Sequence, residues 1–183
     1  MKKLMIAAAI VCAAALSQAA TVNWGVSGVK NVSGAAPTAG WSVMAFYTDV
    51  GSGSDAIVAA INGKTAASLA FDSGTITVSM SKGKIAAHDV NVAGITDTSK
   101  SYDFYYVIFN GADATTATKY AMVSDPSKTF SGMDSKYKTT GDFSSLPTWK
   151  DIGIDPPPPV PEPTSGLLLL LGVAGLALKR KRA

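Results

Sequence analysis

Between Ala20 and Asp155 the chain contains no glutamate, glutamine or arginine. Three of the residues that best sustain a helix after alanine and leucine are therefore missing. Gly, Ser, Thr, Val, Asp and aromatic residues take their place, a vocabulary of strands joined by tight turns. The expectation is a mainly β fold: a single, antiparallel β-sandwich-like domain with one short helix. Its span, 20–155, is the length of one domain.

The pattern of apolar residues places the strands. Val22, Trp24 and Val26 alternate with Asn23, Gly25 and Ser27, as in a half-buried strand. Trp41 to Thr48 is apolar on successive residues and belongs at the centre of a sheet. Thr75 to Ser81 alternates cleanly, and Lys82-Gly83 then turns the chain into a strand from Lys84 to Val92. Tyr102 to Phe109, the most aromatic run, predicts a second central strand. Lys119 to Ser124 pairs with it as a hairpin, ended by Asp125-Pro126. One helix interrupts the series, with Ser54 as N-cap, Ile57 and Ile61 on one face and Asn62-Gly63 as its stop. Thr65 to Phe71 fits a helical turn or a strand equally well. Phe130 to Trp149 is polar and reads as an irregular segment pinned by Phe143, Leu146 and Trp149.

Both ends of the chain carry addresses. Residues 1–19 read as a secretory signal peptide: Lys2 and Lys3, an apolar core from Leu4 to Leu16, and a small-x-small cleavage site from Ser17 to Ala19. Cys12 does not make a lipoprotein site, because Val11 stands where a small residue is needed. The only cysteine leaves with the peptide, so the fold rests on its core and not on disulfides. At the other end, residues 156–163 form a proline-rich linker that reaches about 25 Å as polyproline II. Residues 164–183 then read as a transmembrane helix with a basic end. The apolar run Gly166–Leu178 spans about 20 Å as a helix, short of a hydrocarbon core of about 30 Å. Thr164 and Ser165 can extend it, and Lys179 and Arg180 can snorkel. Lys179, Arg180, Lys181 and Arg182 stay cytoplasmic, which places the domain outside.

Pro161-Glu162-Pro163, an apolar helix and a terminal basic cluster, in that order, resemble the PEP-CTERM sorting signal recognised by exosortases. The same tail also goes by the name of ice-binding protein C-terminal domain, a label for the tail and not for what precedes it. The resemblance covers about the last two dozen residues. It implies secretion, recognition by an exosortase in the membrane, cleavage near the motif, and display at the cell surface or in an exopolysaccharide matrix.

Chemistry is scarce in the domain between. The whole chain is at +3, but residues 20–155 hold ten lysines against twelve aspartates. No basic patch argues for nucleic acid. Gly51-Ser52-Gly53-Ser54, between a strand and a helix and with Asp72 further on, has the outline of a dinucleotide fingerprint. Its polar lead-in and the lack of alternating strands and helices argue for a flexible turn. His88, the only histidine, points away from Asp89 on strand alternation, and no Gly-x-Ser-x-Gly is present, so it reads as a surface residue. Asp89 to Gly94 begins like a calcium loop, but Ala93 and Lys100 stand where oxygen donors are required. Asp97, Asp113, Asp125, Asp134 and Asp142 sit beside turn residues. No catalytic residue, metal or cofactor is expected.

Three roles follow. The favoured one is a displayed structural or interaction protein that is not an enzyme. A carbohydrate-binding module would expose coplanar rings among Trp24, Trp41, Trp149 and Tyr105 for polysaccharide. A hydrolase would set His88 in a cleft against Asp and Ser. Ice binding would require long threonine arrays, and Thr75-Ile76-Thr77 is too short. Signal cleavage after Ala19 should leave Ala20 or Thr21 as the mature N-terminus. N-terminal sequencing of the exported protein checks this, and a product still carrying Cys12 would reopen the lipoprotein reading.

Overall fold

The computed structural model describes residues 19–153, except 81 and 146. The strands are β1 (Ala20–Val29), β2 (Ser42–Asp49), β3 (Asp72–Thr75), β4 (Thr77–Ser79), β5 (Lys82–Val92), β6 (Tyr102–Phe109), β7 (Lys119–Lys128), β8 (Phe130–Ser131), β9 (Lys136–Asp142) and β10 (Lys150–Asp151). One helix, α1 (Asp55–Asn62), and a 3₁₀ turn, Ala66–Ser68, lie between β2 and β3. The strands form two sheets, in the orders β4-β5-β1-β9-β8 and β10-β7-β6-β2-β3. The expected signal core, linker and transmembrane helix lie outside the described residues. Among the described residues no helix is long and apolar enough to cross a membrane.

The central positions of β2 and β6 follow from their composition. Their inward residues Val43, Ala45, Phe104, Tyr106 and Ile108 meet Val22, Trp24 and Val26 of β1 in a core shared by the two sheets. Their other face, with Met44, Phe46, Tyr105, Val107 and Phe109, packs under Ile57 and Ile61 of α1. A strand covered on both faces is apolar at successive residues, and β6 is buried along its whole length. By contrast β1 has one dry face, so it alternates, with Ser27 exposed beyond buried Val26.

Several elements differ from the sequence reading, each for a local reason. Thr75 to Ser81 is not one strand. β3 pairs with β2 in one sheet and β4 with β5 in the other, and the chain changes sheets at Ile76, which is buried in the core. The following turn lies at Met80, with φ of 49°, so Lys82 and Gly83 already belong to β5. Asp125-Pro126 does not end β7. The strand runs on to Lys128 through a bulge opposite Asp103, where the missing proline amide leaves no gap in the ladder. At the end of α1 the left-handed residue is Lys64 (φ 58°), not Gly63. The Lys64 amide bonds to the Ile61 carbonyl and the Thr65 amide to the Ala60 carbonyl, which closes a Schellman motif. Thr65 to Phe71 takes the helical alternative, as the 3₁₀ turn.

The largest departure is between Phe130 and Asp142. This segment holds β8 and β9, and β9 pairs with β1 in parallel, a parallel pair in an otherwise antiparallel fold. The inward residues of β9 are Tyr137, Thr139 and Gly141, set beside Val22, Trp24 and Val26. Gly141 is small for a packing reason: a Cβ there would lie 2.7–2.9 Å from three atoms of Tyr106. Phe143 is fully buried as expected, and Trp149 is partly buried against the core.

Two substitutions test this packing by urea or thermal melts. Phe104→Ala should cost ~3–5 kcal/mol, the usual range for a ring removed from a core. Gly141→Ala adds one methyl group and should still cost ~1–3 kcal/mol, because Tyr106 has nowhere to move. A Gly141→Ala protein as stable as its parent would mean that β9 is not held against Tyr106.

Candidate functional site

The sorting motif Pro161, Glu162 and Pro163, the basic residues 179–182 and Ser17 of the cleavage site lie outside the described residues. Ala19 is the first described residue, just before β1. Within the domain, the dinucleotide-like loop is a turn. Gly51 and Gly53 supply positive φ angles of 84° and 72°, and Ser54 makes no side-chain cap bond. The Gly51 amide donates to Asp103 Oδ2 at 3.1 Å, which takes it away from any phosphate. Asp103, the second residue of the most apolar strand, is buried and also accepts the Ser127 amide at 2.8 Å. A lone carboxylate inside such a run was a signal the sequence offered.

His88 does have a carboxylate partner, but it is Asp72 and not Asp89. Its Nε2 lies 2.9 Å from Asp72 Oδ2, and the same oxygen accepts the Trp24 indole N–H at 2.8 Å. His88 Nδ1 lies 3.2 Å from the Ala86 carbonyl. Two acceptors facing two ring nitrogens favour the imidazolium and leave no nitrogen to take a proton from a nucleophile. Partial burial opposes the charged ring. The bonds to Asp72 and Ala86, with the charges of Asp72 and Asp89, outweigh it and raise the His88 pKa above its ordinary 6.5. Asp89 serves the outer face, accepting Asn23 Nδ2 at 2.5 Å and Lys136 Nζ at 2.8 Å.

The turn reading holds for four of the five aspartates. Asp97, Asp113 and Asp142 accept the amides of Ser99, Thr115 and Ser144, and Asp134 bonds Ser131. Asp125 is the exception. Its Oδ2 accepts the Thr139 hydroxyl and the Thr140 amide, both at 2.9 Å, across the seam between the sheets.

The chain's three tryptophans, six tyrosines and six phenylalanines all fall within the described residues, and none is exposed. Trp24 is fully buried and Tyr105 is 9% exposed, while Trp41 and Trp149 meet edge to face at 77°. These rings form no coplanar platform.

What the sequence did not indicate is a cleft of about 570 Å³ at one end of the domain, lined by Tyr47, Asp49, Thr96, Asp97, Lys100 and Tyr102. Phe46, Ile57 and Leu69 contribute its apolar lining. Tyr47 and Tyr102 meet edge to face at 5.6 Å. Their pKa values are raised by burial, by each other in the case of Tyr47, and by nearby aspartates, so both are neutral phenols. Neither hydroxyl has a hydrogen-bond partner among the described residues. The loop from Ala93 to Ser101 is held by the Asp97–Ser99 turn, by Ile95 in the core, and by Tyr137, whose hydroxyl donates to the Lys100 carbonyl at 2.8 Å. Gly94 makes room for Tyr47: a Cβ there would sit 2.0 Å from the phenol oxygen.

Residues 159–182 match the family model of the PEP-CTERM protein-sorting motif. Neither curated proteins nor solved structures gave a match to the chain. The tail is thus that of an exported protein sorted at the membrane by exosortase.

His88 gives the domain a pH signature. Its folded pKa is raised, so the stabilisation from the Asp72 pair is complete below about 6.5, the ordinary value. It is lost as the pH rises through the raised folded value. Tm should therefore fall between pH 5.5 and pH 9, and His88→Gln should flatten that part of the profile. An unchanged profile in the variant would show that the pair adds nothing.

Proposed function

We propose that this chain is a surface- or matrix-displayed protein, tethered and then processed by an exosortase, whose β-rich domain acts as a structural or interaction module and not as an enzyme. The match of residues 159–182 to the sorting motif carries the reading. In it, Pro161, Glu162 and Pro163 face the sorting enzyme, and Lys179 to Arg182 hold the C-terminus in the cytoplasm by the positive-inside rule. The proline-rich residues 156–163 space the domain from the membrane. Signal cleavage between Ala19 and Ala20 frees the N-terminus.

A non-enzymatic role is supported by the engagement of both His88 ring nitrogens and by the capture of Asp97, Asp113, Asp134 and Asp142 in turns. An exposed carboxylate locked to its own turn is a poor general acid or base, because its bonds favour the charged form throughout.

The tail separates into two testable parts. Glu162→Ala should leave membrane insertion intact and block processing, read as the mass of the C-terminal peptide in cells with and without the exosortase. Replacing Lys179, Arg180, Lys181 and Arg182 together by Ser should release the protein across the membrane. Identical C-terminal masses in both strains for the parent protein would leave a plain membrane anchor.

A further inference from the structure

We propose that the cleft between β2 and the loop from Ala93 to Ser101 binds a neutral pyranose unit of a saccharide. The site does not depend on the sorting reading above. Its volume, about 570 Å³, is within the range of small-molecule sites and suits one or two sugar rings. Its chemistry narrows the ligand further. Tyr47 and Tyr102 present neutral hydroxyls with no protein partner among the described residues, each able to donate and to accept. Asp49 is exposed and its carboxylate also lacks a partner among the described residues, so it can accept from two adjacent ligand hydroxyls. Leu69, 51% exposed, adds an apolar patch for the C–H face of a ring.

Other ligand classes fit less well. A phosphate or carboxylate would meet Asp49 and Asp97 with Lys100 as the only cation in the lining. An amine would meet Lys100, and one of the two carboxylates is already committed, since Asp97 accepts both the amide and the hydroxyl of Ser99. A neutral polyol uses the hydroxyls and the free carboxylate without a charge conflict. The site is also built in advance. Tyr137 and Ile95 fix the loop, and the bare Cα of Gly94 lets Tyr47 lie where it does.

The test uses the full chain, ¹⁵N-labelled, in a detergent without a sugar headgroup. Methyl glucoside, methyl galactoside, methyl mannoside and N-acetylglucosamine are titrated to millimolar levels, with putrescine as the cationic probe and inorganic phosphate as the anionic one. At least one sugar should shift the amides of Gly94, Thr96, Asp97 and Tyr102 in a saturable way. Asp49→Asn and Tyr102→Phe should each weaken that binding about tenfold or more while leaving Tm unchanged. Gly94→Ala should abolish it by displacing Tyr47. Should that variant not fold, the two milder ones still decide. Saturable shifts from putrescine or phosphate alone, sugar shifts confined to another face, no saturable sugar binding, or parent-like affinity in both variants would each overturn the proposal.

Discussion

The domain depends on one stacked pair whose polar ends are tied in opposite directions. Trp24 from one sheet lies on Tyr106 from the other, with ring centroids 5.8 Å apart and 20° between planes. The indole N–H reaches Asp72 at one seam between the sheets, and Asp72 also holds His88. The phenol donates to Thr139 at 2.8 Å, and Thr139 donates to Asp125 at the other seam. Each carboxylate belongs to the sheet of β2 and β6, and each takes donors from the opposite sheet. A single line of contacts therefore crosses the whole domain and fixes the two layers in both directions. Apolar burial alone would leave the sheets free to slide, since it is not directional.

The energetics favour this arrangement over a plainer core. A buried Trp or Tyr brings a large apolar area and one polar group that costs about 1–3 kcal/mol if left without a partner. Placing the carboxylates at the seams satisfies those groups without burying a bare charge, since Asp125 also pairs with Lys128 at 2.9 Å and Asp72 remains part exposed. The packing around the line is then set by sterics. Gly141 is the space for the Tyr106 ring, and Gly25 is the space for β5, where a Cβ would touch the Ala87 backbone at 3.0 Å. With no cysteine after Cys12, this matched set of rings and glycines does the stapling that disulfides do in many small exported domains.

The parts of this fold that were legible in the sequence are those where burial is written in aliphatic and aromatic residues. β1, β2, β6 and α1 each carry the period of their environment, and the hairpin of β6 with β7 followed from two adjacent apolar runs. β9 was not legible because its inward residues are Tyr, Thr and Gly. Two of those three look polar or neutral in any hydrophobicity count, yet Thr139 is buried to hold a hydrogen bond and Gly141 to admit a ring. The change of sheet at Ile76 was hidden for another reason. One buried residue between two short alternating pieces keeps the period of a single strand, and only the pairing partners differ. The partnership of His88 with Asp72 depends on that crossing, so local alternation, which correctly separated His88 from Asp89, had no means of finding it. The cleft is likewise a product of pairing, assembled from the end of β2, the start of β6 and a loop far from β2 in sequence.

The topology also sets the two ends of the described chain apart. β1 begins beside the cleft, where the Ala20 amide bonds to the Ile95 carbonyl of the loop that forms one wall. The described chain ends at the other extremity. β10 pairs with Lys119 and Tyr120, and Tyr120 is set opposite Phe109, whereas the cleft lies at Tyr102. The length of β6 between those points is about 24 Å at the usual rise of a strand. Helix α1 runs the same way, with Ile57 lining the cleft and Asn62 accepting the Gly153 amide at 3.2 Å. Gly153, the last described residue, therefore lies at the end remote from the cleft. This separation arises because β6 places its aromatic start at one end and Phe109, opposite the part of β7 that pairs with β10, at the other.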